Sequence, residues 1–415
     1  MRSADGRRPA RWRGAPAALA LVAALVASSE GVEDFLARHW QRPLAAQGAA
    51  PARYTAVEAS LHPDACGTCH PAQLADWRTS FHARAMGPGV TGQLVEMLDS
   101  DPASALACFN CHAPLAEQAP LVRGSGRLDR NAAYDATLTA AGVACAACHV
   151  RAHERFGPPR RDGSTASRTP RETLPHGGVT RTPAFLGSEF CASCHQFTAD
   201  GFALNGKLLE NTVSEWRASR FARDGVQCQD CHMPDRRHTW RGIHDPDMVR
   251  AGITVTVDTG AAPRRARDTV VATLTVVNTG VGHAFPTYVT PRVVLRAEQL
   301  AAAGRPIPGT RREKAIERRI ALDLSREHSD TRLLPGQRAV LEYRGRVAAS
   351  ATRARLSVVV FPDAFYTRFF ETLLREGAGR GTPQVRQALT DSRNSAFTVF
   401  ERDIPLPASR KNGAR

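Results

Sequence analysis

Lysine is almost absent from this sequence: Lys207, Lys314 and Lys411 are the only three in 415 residues. Its basic charge is therefore nearly all arginine, as a GC-rich coding sequence gives, and arginine carries a fork suited to carboxylates. No cysteine stands outside a pair, which excludes a lipid-anchoring cysteine and a free thiol. The leading apolar run, Ala15 to Ala27 (APAALALVAALVA), is too short to cross a bilayer, which takes about 20 residues. Five arginines and one acid precede and flank it, and small residues follow at Ala27, Ser28 and Ser29. Residues 1–27 thus read as a secretory signal cleaved near 27–30, placing the mature chain in the periplasm or outside the cell. Left uncleaved, the same segment would associate the protein with a membrane.

What the sequence does have is ten cysteines in five C-x-x-C pairs: Cys66/Cys69, Cys108/Cys111, Cys145/Cys148, Cys191/Cys194 and Cys228/Cys231. Histidine follows each directly, as His70, His112, His149, His195 and His232. Five such placements by chance have a probability on the order of 10⁻⁷, so C-x-x-C-H is an attachment signature for c-type haem. Two thiols about one backbone turn apart reach the two vinyl groups on one haem edge, and the adjacent histidine faces the iron. A disulfide framework, the first rival in an exported chain, has no use for the histidines. Zinc ribbons fit poorly with an odd number of knuckles and a histidine after every one.

Five covalently attached haems and their irons also account for the charge. The formal net charge is +15, and removing residues 1–27, with five arginines and Asp5, leaves +11. Ten haem propionates would stand against that, so many arginines read as propionate partners and no nucleic-acid partner is called for.

The first cysteines of the motifs are spaced 42, 37, 46 and 37 residues apart. That is little protein per cofactor, so residues 61–248 should wrap closely packed macrocycles in short helices and loops. Residues 76–84 (DWRTSFHAR) echo 215–223 (EWRASRFAR): Trp77 matches Trp216, Arg78 matches Arg217, Ser80 matches Ser219, and His82 has Phe221 as its counterpart. The repeat keeps packing positions and changes a candidate ligand. After Met248 period-two apolar runs appear, ITVTV, TVVATLTVV, RAVLEY and RLSVVVF, punctuated by TGAAP, NTGVG and LPGQR. The fold class is therefore α+β. An N-terminal arm (28–60) leads into a mostly helical and irregular five-haem domain (61–248). An immunoglobulin-like β-sandwich (249–362) and a helical C-terminal segment with a basic tail (363–415) follow.

The runs CGTCHPAQLADWRTSFHARAM, GVACAACHVR, EWRASRFARDGVQCQDCHMPDRRHTWRGIHD and NTGVGHAFPT resemble the multihaem cytochrome superfamily that includes hydroxylamine oxidoreductase, octahaem tetrathionate reductase and the tetrahaem electron carrier of ammonia oxidisers. The resemblance implies haems in parallel-stacked and perpendicular pairs, distal histidines drawn from elsewhere in the chain, and dimers or trimers. His82, in W-x-x-S-x-H-A, matches a distal-ligand position of those relatives.

Nine histidines remain for the sixth ligands. Besides His82, the candidates are His176 between a proline and two glycines, His238 and His244 after the fifth motif, and His283 in the stiff turn GVGHAFPT. His62 and His153 are weaker, and His39 and His328 read as bystanders. Spare histidines favour an electron carrier with closed irons between a redox donor and acceptor, such as other cytochromes or a membrane quinol-linked complex. The rival is an oxidoreductase with one open haem acting on a small nitrogen or sulfur oxyanion or hydroxylamine. No motif ends in lysine, as the catalytic haem of ammonia-forming nitrite reductases requires. The one tyrosine between the first and last motifs, Tyr134, has no context for a haem cross-link. No catalytic residue is assigned.

Overall fold

The computed structural model describes residues 31–124, 126–167, 169–260 and 268–407; the signal segment and the SRKNGAR tail lie outside them. Up to Gly252 the chain is a succession of short helices. Prolines open several of them, Pro63–Gly67, Pro71–Thr79, Pro88–Ser100 and Pro102–His112, where the missing N–H costs nothing and the fixed φ suits the first turn. The attachment motifs lie on or at the ends of such turns: Pro63–Gly67 carries Cys66, Pro102–His112 ends on the second motif, and Cys145–His149, Glu189–His195 and Cys228–His232 carry the others.

Side-chain cores in this half are small. One gathers Leu44, Leu115, Leu138 and Val150 around buried alanines, and another gathers Met86, Leu94 and Phe109. The C-terminal half is the opposite. Eight strands, β1 Ile253–Thr259, β2 Thr269–Asn278, β3 Arg292–Ala301, β4 Arg312–Ile320, β5 Glu327–Asp330, β6 Arg338–Arg346, β7 Ala351–Phe361 and β8 Phe397–Pro405, form two antiparallel sheets. One is ordered β5-β4-β3-β7-β8 and the other β6-β2-β1. Alternation in β2 turns Val270, Ala272, Leu274 and Val276 inward, against Val293, Leu295, Leu356 and Val358 of the facing sheet, so the two sheets share one apolar core.

The segment after residue 362 differs from the helical tail expected. Helices Ala364–Glu376 and Thr382–Asn394 are present, and the chain then returns as β8, paired with β7 from Val360↔Phe397 to Arg353↔Pro405. Arg402, Asp403 and Glu401 hide this strand from a hydrophobic pattern. They are tolerated because β8 is a sheet edge, where Arg353 and Arg355 of β7 pair with Asp403. Helix Thr382–Asn394 packs on Pro88–Ser100 at a glycine contact: a Cβ on Gly381 would meet the Gly92 carbonyl oxygen at 1.9 Å. The helical hairpin thus ties the sandwich to the helix that precedes the second attachment motif.

Candidate haem and iron-ligand site

Four of the five motif histidines have Nδ1 anchored. His112 donates to Ala85 O at 2.7 Å, His149 to Phe156 O at 2.8 Å and His232 to Arg241 O at 2.7 Å, while His195 faces the Tyr288 hydroxyl at 2.5 Å. With the proton held at Nδ1, the lone pair sits on Nε2, the arrangement a metal-bound histidine uses. For three of them burial favours the neutral ring: it lowers the pKa of His149 to about 4 and pulls His195 and His232 down as well.

The same test sorts the remaining histidines. His176, His238 and His283 also commit Nδ1 to a carbonyl, of Gly178, Arg236 and Ala284 respectively, leaving Nε2 free. His82 is buried against Trp240, with ring centroids 4.6 Å apart, and burial lowers its pKa to about 3. His39, His62, His153 and His244 spend Nε2 on Cys148 O, Asp135, Gly48 O and Asp363.

Ring spacing shows which histidines meet. His149 and His238 lie 6.3 Å apart between centroids, His195 and His82 6.4 Å, and His232 and His283 6.4 Å with planes 13° from parallel. A metal about 2 Å from the nitrogen of each of two imidazoles separates the ring centroids by roughly 6 Å. These residues fit haem iron held from both sides. His176 stands within electrostatic reach of His70. His244 differs from the ligand expected of it: its ring lies 4.1 Å from that of Phe81 with the planes tilted by 32°, its Nε2 is 3.0 Å from Asp363 Oδ2, and among the described residues it pairs with no motif histidine. Among the described residues, His112 forms no ring pair with another histidine.

The internal repeat turns out to be a brace used twice. Ser80 and Ser219 follow their helices with nearly identical backbone, φ −84 with ψ 162 and ψ 164. Trp77 donates its indole N–H to Val143 O at 2.8 Å and Trp216 to Val226 O at 2.9 Å, each carbonyl two residues before an attachment motif. The acid before each tryptophan holds a distal loop. Asp76 accepts from His238 N at 3.0 Å and from Arg237, and Glu215 accepts from Ala284 N at 3.1 Å and from Arg332. Where the first copy offers His82, the second offers Phe221, which packs against Gly282 and so against the loop that presents His283. That loop is fixed further by Asn278, whose amide donates to His283 O and Leu333 O, and by Gly280, where a Cβ would lie 2.5 Å from Ala251 O.

Motif cysteines neighbour one another across motifs. Cys66 lies beside Cys145, Cys111 beside Cys194 and Cys191 beside Cys228, with Cys148 in electrostatic reach of Cys194. Cys69 and Cys231 are exposed, while the others are partly covered. Arg155 and Arg181 donate to backbone carbonyls, of Glu58 and His153 and of Pro158. Sequence reasoning missed Tyr288, Glu210 and the Asp76 and Glu215 braces. The braces had a signal, the acid preceding tryptophan in both copies of the echo; Tyr288 had none.

Comparison with known proteins agrees with the motif reading. A family model described as cytochrome c554 and c-prime matches residues 65–150, the stretch holding the first three motifs. Cytochrome c-554 of Nitrosomonas europaea is 28% identical over 141 residues, 31% of this chain and 54% of that protein, so the chain spans about half the length of this curated relative. Among solved structures, a penta-heme cytochrome c552 from Thermochromatium tepidum has a similar fold, with a TM-score of 0.59 at 18% identity over 84% of this chain and 100% of that one.

Proposed function

We propose that this chain, a multihaem c-type cytochrome, is a periplasmic carrier that passes electrons between two redox partners through five haems, at least four of them held between two histidines. The observation that carries the reading is the set of three histidine pairs at 6.3–6.4 Å, each joining a motif histidine to one from another part of the chain. Haem c supplies an iron couple that takes one electron at a time. The protein's part is to hold the ligand rings in place, seven of them through Nδ1 and several kept neutral by burial, so that oxidation state changes with little movement. His70 pairs with His176 in this reading, His149 with His238, His195 with His82 and His232 with His283. The cysteine neighbours suggest a route from the first motif through the third and fourth to the fifth, with the second branching at the fourth. Exposed Cys69 and Cys231 mark the two ends as ports for partner cytochromes or a membrane quinol-linked complex. A pyridine haemochromogen assay with intact mass should count five thioether-bound haems, and fewer than five would overturn the reading.

One observation favours a second reading, an oxidoreductase acting on a small nitrogen or sulfur oxyanion or hydroxylamine. His112 lacks a histidine partner among the described residues, and His244 is engaged by Asp363. Electron paramagnetic resonance of the oxidised protein should then show one high-spin haem beside low-spin ones. A shift of that signal on adding nitrite or hydroxylamine, with turnover, would establish the enzyme; an inert signal without turnover leaves the carrier.

A further inference from the structure

Among the motif histidines, His195 is the one whose Nδ1 meets a side chain. The acceptors for His112, His149 and His232 are peptide carbonyls, whose strength is fixed by the backbone. The Tyr288 hydroxyl is different in kind, because it accepts the imidazole N–H with its oxygen and donates its own proton elsewhere. Glu210 lies in electrostatic reach of that hydroxyl, and its Oε2 is buried with no hydrogen-bond partner among the described residues. Tyr288 holds its place at a backbone cost: its φ of 62° lies in the left-handed region that a bulky residue avoids. Thr287, next to it, is pinned by a hydroxyl contact of 2.8 Å with Thr212, two residues after Glu210. The loop that presents His283 therefore reaches a second motif from its proximal side.

From this geometry we infer that Tyr288 is a positioning residue that sets the reduction potential of the haem attached at Cys191 and Cys194, acting through Nδ1 of His195, with Glu210 governing how strongly its oxygen accepts. A stronger acceptor at Nδ1 makes the imidazole a better electron donor and favours the oxidised iron; losing the acceptor favours the reduced one. The place of this haem gives the device its use. Its cysteines neighbour those of the second and fifth motifs and lie in electrostatic reach of the third, so it is the junction of the route. The inference rests on the carrier reading and adds that the junction has its own side-chain control.

Spectroelectrochemical titration of the full holoprotein tests it. Tyr288→Phe removes the oxygen and keeps the ring, and the expected result is an upward shift in the potential of one haem, with the others unmoved and its low-spin spectrum retained. Glu210→Gln, which keeps the shape of the side chain and removes its carboxyl, should move the same haem and no other. It serves as the test on its own if Tyr288→Phe does not fold. No shift in the folded variants, or several haems shifting together, overturns the inference. The haem count of the native protein is a separate result: five haems with unmoved potentials refute Tyr288 alone, and a lower count refutes the carrier reading.

Discussion

Glu215→Ala should loosen the loop of His283, 68 positions away in sequence. Glu215 Oε2 accepts the backbone N–H of Ala284, beside His283, and Oε1 accepts Arg332 at 3.1 Å, both side chains being 8% exposed. A hydrogen bond to a charged group contributes about 1.5–3 kcal/mol, and the variant leaves a buried N–H without a partner. Arg332 keeps Asp330 at 2.9 Å, so its own charge stays compensated and the larger penalty of a stranded ion does not apply. The net loss is about 2 kcal/mol, or roughly a 30-fold shift toward a detached loop at about 1.4 kcal/mol per tenfold. If His283 ligates the fifth haem as proposed, it does so only with the loop seated, and cyanide or imidazole should bind that haem roughly 30-fold more tightly in the variant. Near-infrared magnetic circular dichroism would follow the competition. Affinity unchanged within about threefold, a margin of ~0.7 kcal/mol, would refute the brace.

His283→Ala should convert one low-spin haem to high-spin by the same spectroscopy; an unchanged spectrum makes His283 an ordinary loop residue. Gly280→Ala should destabilise the protein and produce the same high-spin signal, because its Cβ would stand 2.5 Å from Ala251 O, and a native thermal midpoint would contradict the close approach. Acid should weaken the docking of the sandwich onto the 203–208 hairpin. Burial raises the carboxyls of Asp330 and Glu327, but hydrogen bonds from Arg332 and Lys207 on Asp330, and from Lys207 and Arg318 on Glu327, outweigh it and hold both below their ordinary range. Carboxyls depressed in the folded state stabilise it fully above their unfolded values, about 4, and lose that contribution as pH falls through the lower folded values. Limited proteolysis between the two halves should therefore accelerate below about pH 4, and a flat rate down to about pH 2 would contradict it.

Much of this was legible in sequence because covalent chemistry fixes spacing: C-x-x-C-H dictates the attachment sites whatever the fold around them. The sandwich was legible in β2, where strict alternation reports a buried face, and illegible in β8, whose charged residues are stabilised by cross-strand partners that only pairing reveals. Distal ligands lie between these cases. His82 and His283 sit in distinctive local contexts, yet His244 looks as suitable as His238 in RHTWRGIH and is set apart by Asp363, a residue 119 positions away. Asp76 and Glu215 were printed in the repeat, but their role depends on which backbone N–H arrives opposite them.

The loop from Asn278 to Tyr288 also imposes an order on how the protein is made. A chain made only as far as Met248 already holds all ten cysteines and five motif histidines, so on the proposed reading every haem can be attached before any strand of the sandwich exists. At that stage the ring of His232 still waits for His283, and that of His195 for Tyr288. On the proposed ligand pairing, maturation has a last, non-covalent step: the sandwich folds, its loop docks, and the fifth haem acquires its second histidine. A defect in strand pairing far from any haem would then surface as a spectroscopic fault at the end of the wire, in a protein whose cofactor count is complete.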